Sequence, residues 1–338
     1  MSTPGSDLQS HLLASEPEPA EADQPTGKAV VSKSPTQLAM RRFRKDKLSM
    51  ISFCVVAFYF LAAIAAPILV STGVLDPHTY HDDLLNENTL PAGKWGGISS
   101  DHLLGIEPGT GRDVLARVWY GITFSLMISI AATIIAIILG VVLGIVSGAS
   151  GGWVDAVIGR IIDLTLAFPQ TLMLLALSSV GIAFLHEVVH VPSGDPVNAL
   201  YVIIVLGLFG WTGVARIIRG QVLSLREREF VQAAQLLGAS KFRIYFKEIL
   251  PNLWAPILVS FTLIMPAFVS AEAALSYLGI SIHPPTPTLG NILRDSLSYA
   301  QADFVFFFVP AFLIALIVVT FNLLGDGLRD ALDPKGHR

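Results

Sequence analysis

The sequence predicts an all-α, polytopic membrane protein with six transmembrane helices, on three observations. The chain is 53% hydrophobic and only 14% charged, with a mean hydropathy of +0.63, whereas soluble domains are nearer a quarter charged. Six stretches are apolar over the roughly 20 residues a helix needs to cross a hydrocarbon layer about 30 Å thick. Lys and Arg concentrate on one side of the arrangement those six stretches impose.

Taken in order, residues 1–38 are polar and rich in Pro, Ser and Glu (SEPEPAEADQPTGK) and are expected to form a disordered cytoplasmic tail. No cleavable signal peptide is expected: the first apolar run, 48–71, is 24 residues long, beyond a signal-peptide core, and stays as an anchor. With its basic flank it makes the segment 39–72. Residues 73–117 form a long external loop. The core, 118–324, holds the spans 122–148, 157–185, 199–220, 253–280 and 304–324, and 325–338 is a cytoplasmic tail.

Orientation follows from the basic residues. With the N-terminus inside, the internal flanks hold fifteen: Arg41, Arg42, Arg44, Lys45, Lys47, Arg216, Arg219, Arg226, Arg228, Lys241, Arg243, Lys247, Arg329, Lys335 and Arg338. The external side receives four, Lys94, Arg112, Arg117 and Arg294. Both termini are therefore expected in the cytoplasm.

The cytoplasmic loop 221–251 is too polar to span and too patterned for a linker. Phe230, Ala233, Ala234 and Leu237 repeat at helical spacing, Gly238 stands where a left-handed residue ends a helix, and Ser240 can cap a second one. Phe242, Tyr245, Phe246 and Ile249 repeat the pattern before Pro251. Two short amphipathic helices hinged at a glycine make either an interfacial connection or a knob for a cytoplasmic partner; both remain open on spacing alone.

The string QAAQLLGASKFRIYFKEILP resembles the EAA loop of ATP-binding-cassette importer permeases, E-A-A-x3-G-x9-I-x-L-P. Ala233, Ala234, Gly238, Leu250 and Pro251 match. Gln232 stands at the acidic position, keeping hydrogen-bonding capacity without the charge, and Glu248 stands at the Ile position. Further segments are similar to the dipeptide/oligopeptide/nickel (DppC/OppC-like) permease family: HLLGIEPGTGRD with one extra residue, GGWVD, RIIDLTLAFP, HPPTPTLGNIL with Leu289 at a usual Trp, and FNLLGDGLRDALDP. The resemblance runs over about residues 38–335.

This resemblance implies the type I ABC importer permease fold, a bacterial inner-membrane location and a loop that couples nucleotide-driven closure of ATPases to the transmembrane path. Its ATPase-coupling residues would be Gln232, Ala233, Ala234, Gly238, Ala239, Ser240, Leu250 and Pro251. The implied partners are a second permease chain in a heterodimer, two ATP-binding-cassette ATPase subunits and an external substrate-binding protein, besides the bilayer. Di- or oligopeptides are the implied cargo, with nickel or another small solute as the alternative. No nucleic-acid partner is expected.

Other residues carry less. No G-x4-G-K-[ST] loop, G-x-S-x-G or H-E-x-x-H occurs, so the chain is not expected to be an enzyme; ATP and Mg would sit in partner subunits, and no cofactor or catalytic residue is expected here. His78, His81, His102, His186, His190 and His283 lack an accompanying thiolate or acidic cage, and no metal is expected. Cys54 is the single cysteine, which excludes an internal disulfide. Gly140, Gly144 and Gly148 allow close helix approach within one chain or between two. Pro169, Pro266 and Pro310 interrupt spans, either as structural bends or as pivots. Asp163 near the inner end of span three and Glu272 near the outer end of span five can snorkel outward or face the path. Asp163, Pro169, Pro266 and Glu272 are the pathway or gating candidates. A secondary transporter driven by an ion gradient is the rival reading; it calls for an inverted repeat and a midplane acidic relay, and the sequence has neither.

Overall fold

The computed structural model describes residues 35–332; the expected disorder of residues 1–34, and the end of the chain with Lys335 and Arg338, lie outside it. Helices dominate: α1 Pro35–Lys45, α2 Lys47–Ser71, α3 Val114–Ser150, α4 Gly152–Ala167, α5 Gln170–Glu187, α6 Asp195–Leu225, α7 Glu229–Leu236, α8 Lys241–Arg243, α9 Trp254–Tyr277, α10 Leu289–Leu297 and α11 Phe304–Leu332. Six of them, α2, α3, α5, α6, α9 and α11, are long and apolar enough to cross a membrane. Among the described residues there are no strands, only the isolated bridges Leu85–Pro91 and Ile106–Asp113 within the segment joining α2 to α3.

Local chemistry sets the boundaries. Asp46 sits in extended backbone between α1 and α2, and its carboxylate accepts the Leu48 and Ser49 N–H groups, so α2 starts afresh there. Asp113 caps α3 by accepting from the Ala116 N–H at 2.6 Å. This helix begins before the predicted start at 122 because its charged first turns are satisfied internally: Arg117 is fully buried beside Glu107. At 37 residues α3 is about 55 Å long, well beyond the hydrocarbon thickness, so it projects from the layer. Gly151, at φ +63°, ends it and turns the chain back into α4.

Span three differs from the expectation of one interrupted helix. Phe168 and Pro169 are both extended, separating α4 from α5 completely. Pro169 has no N–H to donate, and its ring drives the preceding residue out of the helical region. Only α5, 18 residues long, has the length and apolarity of a span. At the chain's other end α11 stays helical to Leu332, past the predicted limit at 324.

The bundle is organised around α3, which packs on α6 along one face and on α2 and α9 along others. Its three spaced glycines decide the first contact. Gly140 faces Val214 and the Trp211 carbonyl; a methyl group on Gly144 would stand 2.8 Å from Ile218 Cβ, and one on Gly148 2.8 Å from Val222 Cβ. The small-residue face thus serves α3–α6 packing within one chain. On the opposite side Val56, Tyr59, Leu126, Val269, Phe306 and Phe321 join α2, α3, α9 and α11 in a common core.

α4 is pinned to the projecting ends of α3 and α6. Arg219 holds Asp155 with two bonds, Nε at 2.6 Å and Nη2 at 2.7 Å, and Ser147 donates to the same carboxylate. The guanidinium holds this carboxyl down at about 2, against an ordinary 3.8. A depressed folded-state value means the clamp contributes fully above about pH 4 and is lost as pH falls toward 2. Asp155→Asn is expected to loosen α4 at neutral pH, read as faster hydrogen exchange over 152–160; exchange equal to that of the parent chain would contradict the assignment.

Candidate functional site

The element between α6 and α9 is built from the inside outward. Val231, Ile244, Ile249 and Leu253 are its buried anchors, packed on Val141 and Ile145 of α3 and on Val214, Ile218 and Val222 of α6. Arg226 ties its start to the end of α3 through the Gly148 carbonyl at 3.2 Å, and Tyr245 and Ser150 hydroxyls meet at 2.9 Å. α7 ends as expected at Gly238, φ +76°, where the Leu237, Gly238 and Ala239 N–H groups donate to Ala233, Gln235 and Ala234 carbonyls. Ser240 Oγ accepts from the Arg243 N–H and caps α8. A π-helical turn, Ile244–Ile249, and a 3-10 turn, Leu250–Asn252, then lead to α9.

What faces outward is apolar. Leu236 and Leu237 are 89% and 88% exposed, Phe242 is 72% exposed, and Phe230 and Phe246 are exposed beside them. The Phe242 and Phe246 rings lie 4.5 Å apart. The first apolar stripe expected from the sequence, Phe230, Ala233, Ala234 and Leu237, therefore looks away from the bundle, and the inward contact of α7 is Val231, which lies off that stripe. The second stripe divides: Ile249 turns in with Ile244, whereas Phe242 and Phe246 turn out. A cavity of about 400 Å³ separates the element from the end of α3, lined by Arg226, Gln232, Gln235, Lys241 and Tyr245 among others.

Of the eight candidate coupling residues, Gln232, Ala233 and Ala234 lie on α7, and Gly238, Ala239 and Ser240 lie in the turn between α7 and α8. Gln232 Nε2 donates to the Glu227 carbonyl at 3.3 Å. Ala239 leans on the inner cluster, and Leu250, half-buried in it, with Pro251, joins the element to α9 at the far end of the loop.

The four pathway or gating candidates do not form one site. Asp163 on α4 pairs with Arg216 of α6 at 2.9 Å, and both side chains are well exposed. Pro169 stands between α4 and α5. Pro266 is buried inside α9. Glu272, which could have snorkelled outward on the sequence pattern, is instead completely buried. Its carboxyl accepts from Ser125 Oγ at 3.0 Å and Ser281 Oγ at 2.9 Å, and Ser125 Oγ in turn accepts the Leu289 N–H. It joins α3, α9 and α10 because an uncompensated carboxyl at that depth would be far more costly than a hydrogen-bonded one.

Three groupings escaped sequence reasoning. Ser125, Ser129 and Thr133 line one face of α3 at i, i+4 and i+8, a polar spacing visible in an otherwise uncharged span. Glu107, Arg112 and Arg117 form a buried ion cluster, with Arg112 Nε 2.7 Å and Arg117 Nε 3.3 Å from Glu107 Oε2, although all three read as members of a solvated loop or its edge. Arg219 and Arg216 were legible only as inside-facing charge. Of the histidines, His102 lies 2.7 Å from Asp113 and against the His81 ring; among the described residues no three metal-ligating side chains gather.

Comparison with known proteins gives concordant matches. Residues 140–337 match the family model of binding-protein-dependent transport system inner membrane components, and 34–91 match that of the N-terminal transmembrane domain of oligopeptide transport permease C. The chain is 38% identical over 308 residues to the dipeptide transport system permease protein DppC of Bacillus subtilis, covering 91% of this chain and 88% of that one. It is 36% identical over 321 residues to the oligopeptide permease OppC of the same organism, covering 94% and 96%. To Escherichia coli OppC it is 34% identical over 307 residues, covering 90% and 93%. In fold it is similar to a chain of the inward-facing MetNI methionine ABC transporter, with a TM-score of 0.51 and 17% identity over 65% of this chain and 97% of that one.

Proposed function

The chain belongs to the family of binding-protein-dependent transport system inner membrane components, as an ABC importer permease of the DppC/OppC type, and on that premise we propose that it carries di- or oligopeptides across the bacterial inner membrane, powered by ATPases that grip the element between α6 and α9. It works as one of two permease chains in a heterodimer. Two ATP-binding-cassette subunits supply ATP hydrolysis with Mg, and an external binding protein delivers the solute to the external segments 72–117 and 281–303. Both termini lie in the cytoplasm in this reading, which the excess of Lys and Arg on the inner flanks supports.

The single observation that carries the coupling reading is the outward crest of Leu236, Leu237 and Phe242. Apolar side chains this exposed on a polar loop mark a surface built for a partner. They stand on an element whose inner side is locked to α3 and α6, so displacement of the crest moves both helices. A two-state bundle responds to a ligand only through such differential contact. ATPases that grip the crest in one nucleotide state would therefore bias the path, and Gln232, Ala233, Ala234, Gly238, Ala239, Ser240, Leu250 and Pro251 are the residues through which they do so. Asp163, Pro169, Pro266 and Glu272 act with the path: Asp163 from an exposed ion pair, the prolines where helices bend or break, and Glu272 as the tie between α3, α9 and α10.

Peptide cargo is tested by uptake of a labelled dipeptide in cells holding the complete transporter, with and without this chain. Peptide uptake that disappears on deletion is the expected result. Unchanged peptide uptake together with lost nickel uptake would transfer the assignment to a metal complex.

A further inference from the structure

We propose that α1 is a docking surface for the headgroups of anionic phospholipids in the surrounding bilayer. Arg41, Arg44 and Lys45 are exposed on this helix, and Lys47 is exposed at the first position of α2. The only acid between residues 35 and 47 is Asp46. Its carboxylate is turned into the cap of α2, where the Leu48 and Ser49 N–H groups and the Ser49 hydroxyl all donate to it. Arg41, Arg44, Lys45 and Lys47 are thus left without an acidic partner within residues 35–47.

Geometry places this face at the edge of the hydrocarbon. Phe43 is buried in the cluster that includes Leu328 and Ala331 of α11, and its ring meets Phe53 of α2 edge-on with centroids 6.3 Å apart. The helix is thereby fixed across the ends of α2 and α11. Within the first turns of α2, Leu48 and Ile51 are already exposed apolar side chains, facing the layer that α2 crosses. On α1 itself Leu38 and Met40 are exposed and apolar among the cations. A short helix with apolar contacts at the acyl boundary and several cations at headgroup level, continuous with a span, is the arrangement that retains acidic lipid. The four cations stand on a rigid support, so they meet a headgroup without having to be ordered first. This inference concerns the bilayer and stands apart from the reading of the transported solute.

The test uses the full chain in phosphatidylcholine vesicles carrying a trace of spin-labelled phosphatidylglycerol or spin-labelled phosphatidylcholine, with the immobilised fraction of each measured. Phosphatidylglycerol is expected to be favoured by about fivefold or more at low ionic strength. The preference should fall toward unity at about 1 M salt, where the screening length is only about 3 Å. R41Q/R44Q/K45Q/K47Q should lose it. Because these charges also guide insertion, R44Q alone should lower it in part, and K45R/K47R should keep it. Equal association of the two lipids, or a preference insensitive to salt or to removal of the charges, would overturn the proposal. So would a preference that emerges only after deletion of residues 1–33, which would assign the basic face to the acidic stretch from Glu16 to Asp23.

Discussion

Gly144→Leu is expected to destroy the bundle as a folded unit. Even a single carbon at this position would stand 2.8 Å from Ile218 Cβ and 2.9 Å from the Ala215 carbonyl, and a Leu side chain adds three more. Neither neighbour can retreat: Ala215 and Ile218 are fully buried in α6, between α3 and the α4 and loop contacts. Overpacking a closed interface costs about 1–3 kcal/mol when the surroundings can shift, and more when the obstacle is backbone. With Gly140 and Gly148 in the same groove, relief requires α3 and α6 to separate along their length. The checking measurement is the yield of monodisperse chain after detergent extraction, with its thermal midpoint. Gly144→Leu should fall below recovery while Gly159→Leu, at a position with open space around it, stays near the parent value. Equal yields would mean that the close approach of α3 and α6 is not what holds the bundle.

The second large effect is expected without any loss of fold. Leu236→Asp with Leu237→Asp replaces two side chains that touch almost nothing in the chain, so stability should change by no more than about 0.5 kcal/mol. If these residues anchor an ATPase, their loss should cost about 2 kcal/mol or more of binding, roughly a thirtyfold weakening, because apolar anchors at the centre of an interface dominate its affinity. Co-purification of the ATPase subunits should fail for the double variant and persist for Lys247→Gln, an exposed change on the neighbouring turn. Retention of the ATPases by the double variant, with the chain inserted normally, would remove the crest from the coupling surface.

The spans were legible because a bilayer imposes a length and an apolarity that local sequence must meet. The end of α7 was legible for a similar reason: a glycine in the left-handed region followed by a capping Ser is a local signal, and Gly238 and Ser240 behave accordingly. Where the reading departed from the structure, the deciding partner lay far along the chain. Besides Ser281 close by, Glu272 finds a hydroxyl partner at Ser125, 147 residues away, and nothing in the periodicity of either helix announces that pairing. The early start of α3 turns on a nearer partner, since Arg117 reads as a solvated flank until Glu107, on the segment just before the helix, is folded against it. Pro169 is a matter of degree: its signal is plain in the sequence, but whether a proline bends a helix or ends it depends on what supports the freed backbone on either side. The direction of the α7 stripe needed the bundle itself, because an amphipathic helix states that one face is apolar without saying whether that face looks inward or toward a partner.

The central claim is that ATP hydrolysed on other subunits drives this chain through the element between α6 and α9. It is tested most directly in proteoliposomes holding the full transporter, by following labelled dipeptide uptake with ATP supplied to the ATPases and with Gly238→Trp in place of the parent chain. Gly238 has positive φ and open space beside it, so the substitution strains and enlarges the crest while leaving the buried anchors alone. The account predicts uptake that requires ATP and stops in the variant, although the ATPases still hydrolyse ATP and the chain remains inserted. Uptake sustained by an ion gradient without ATP, or undiminished by Gly238→Trp, would contradict it.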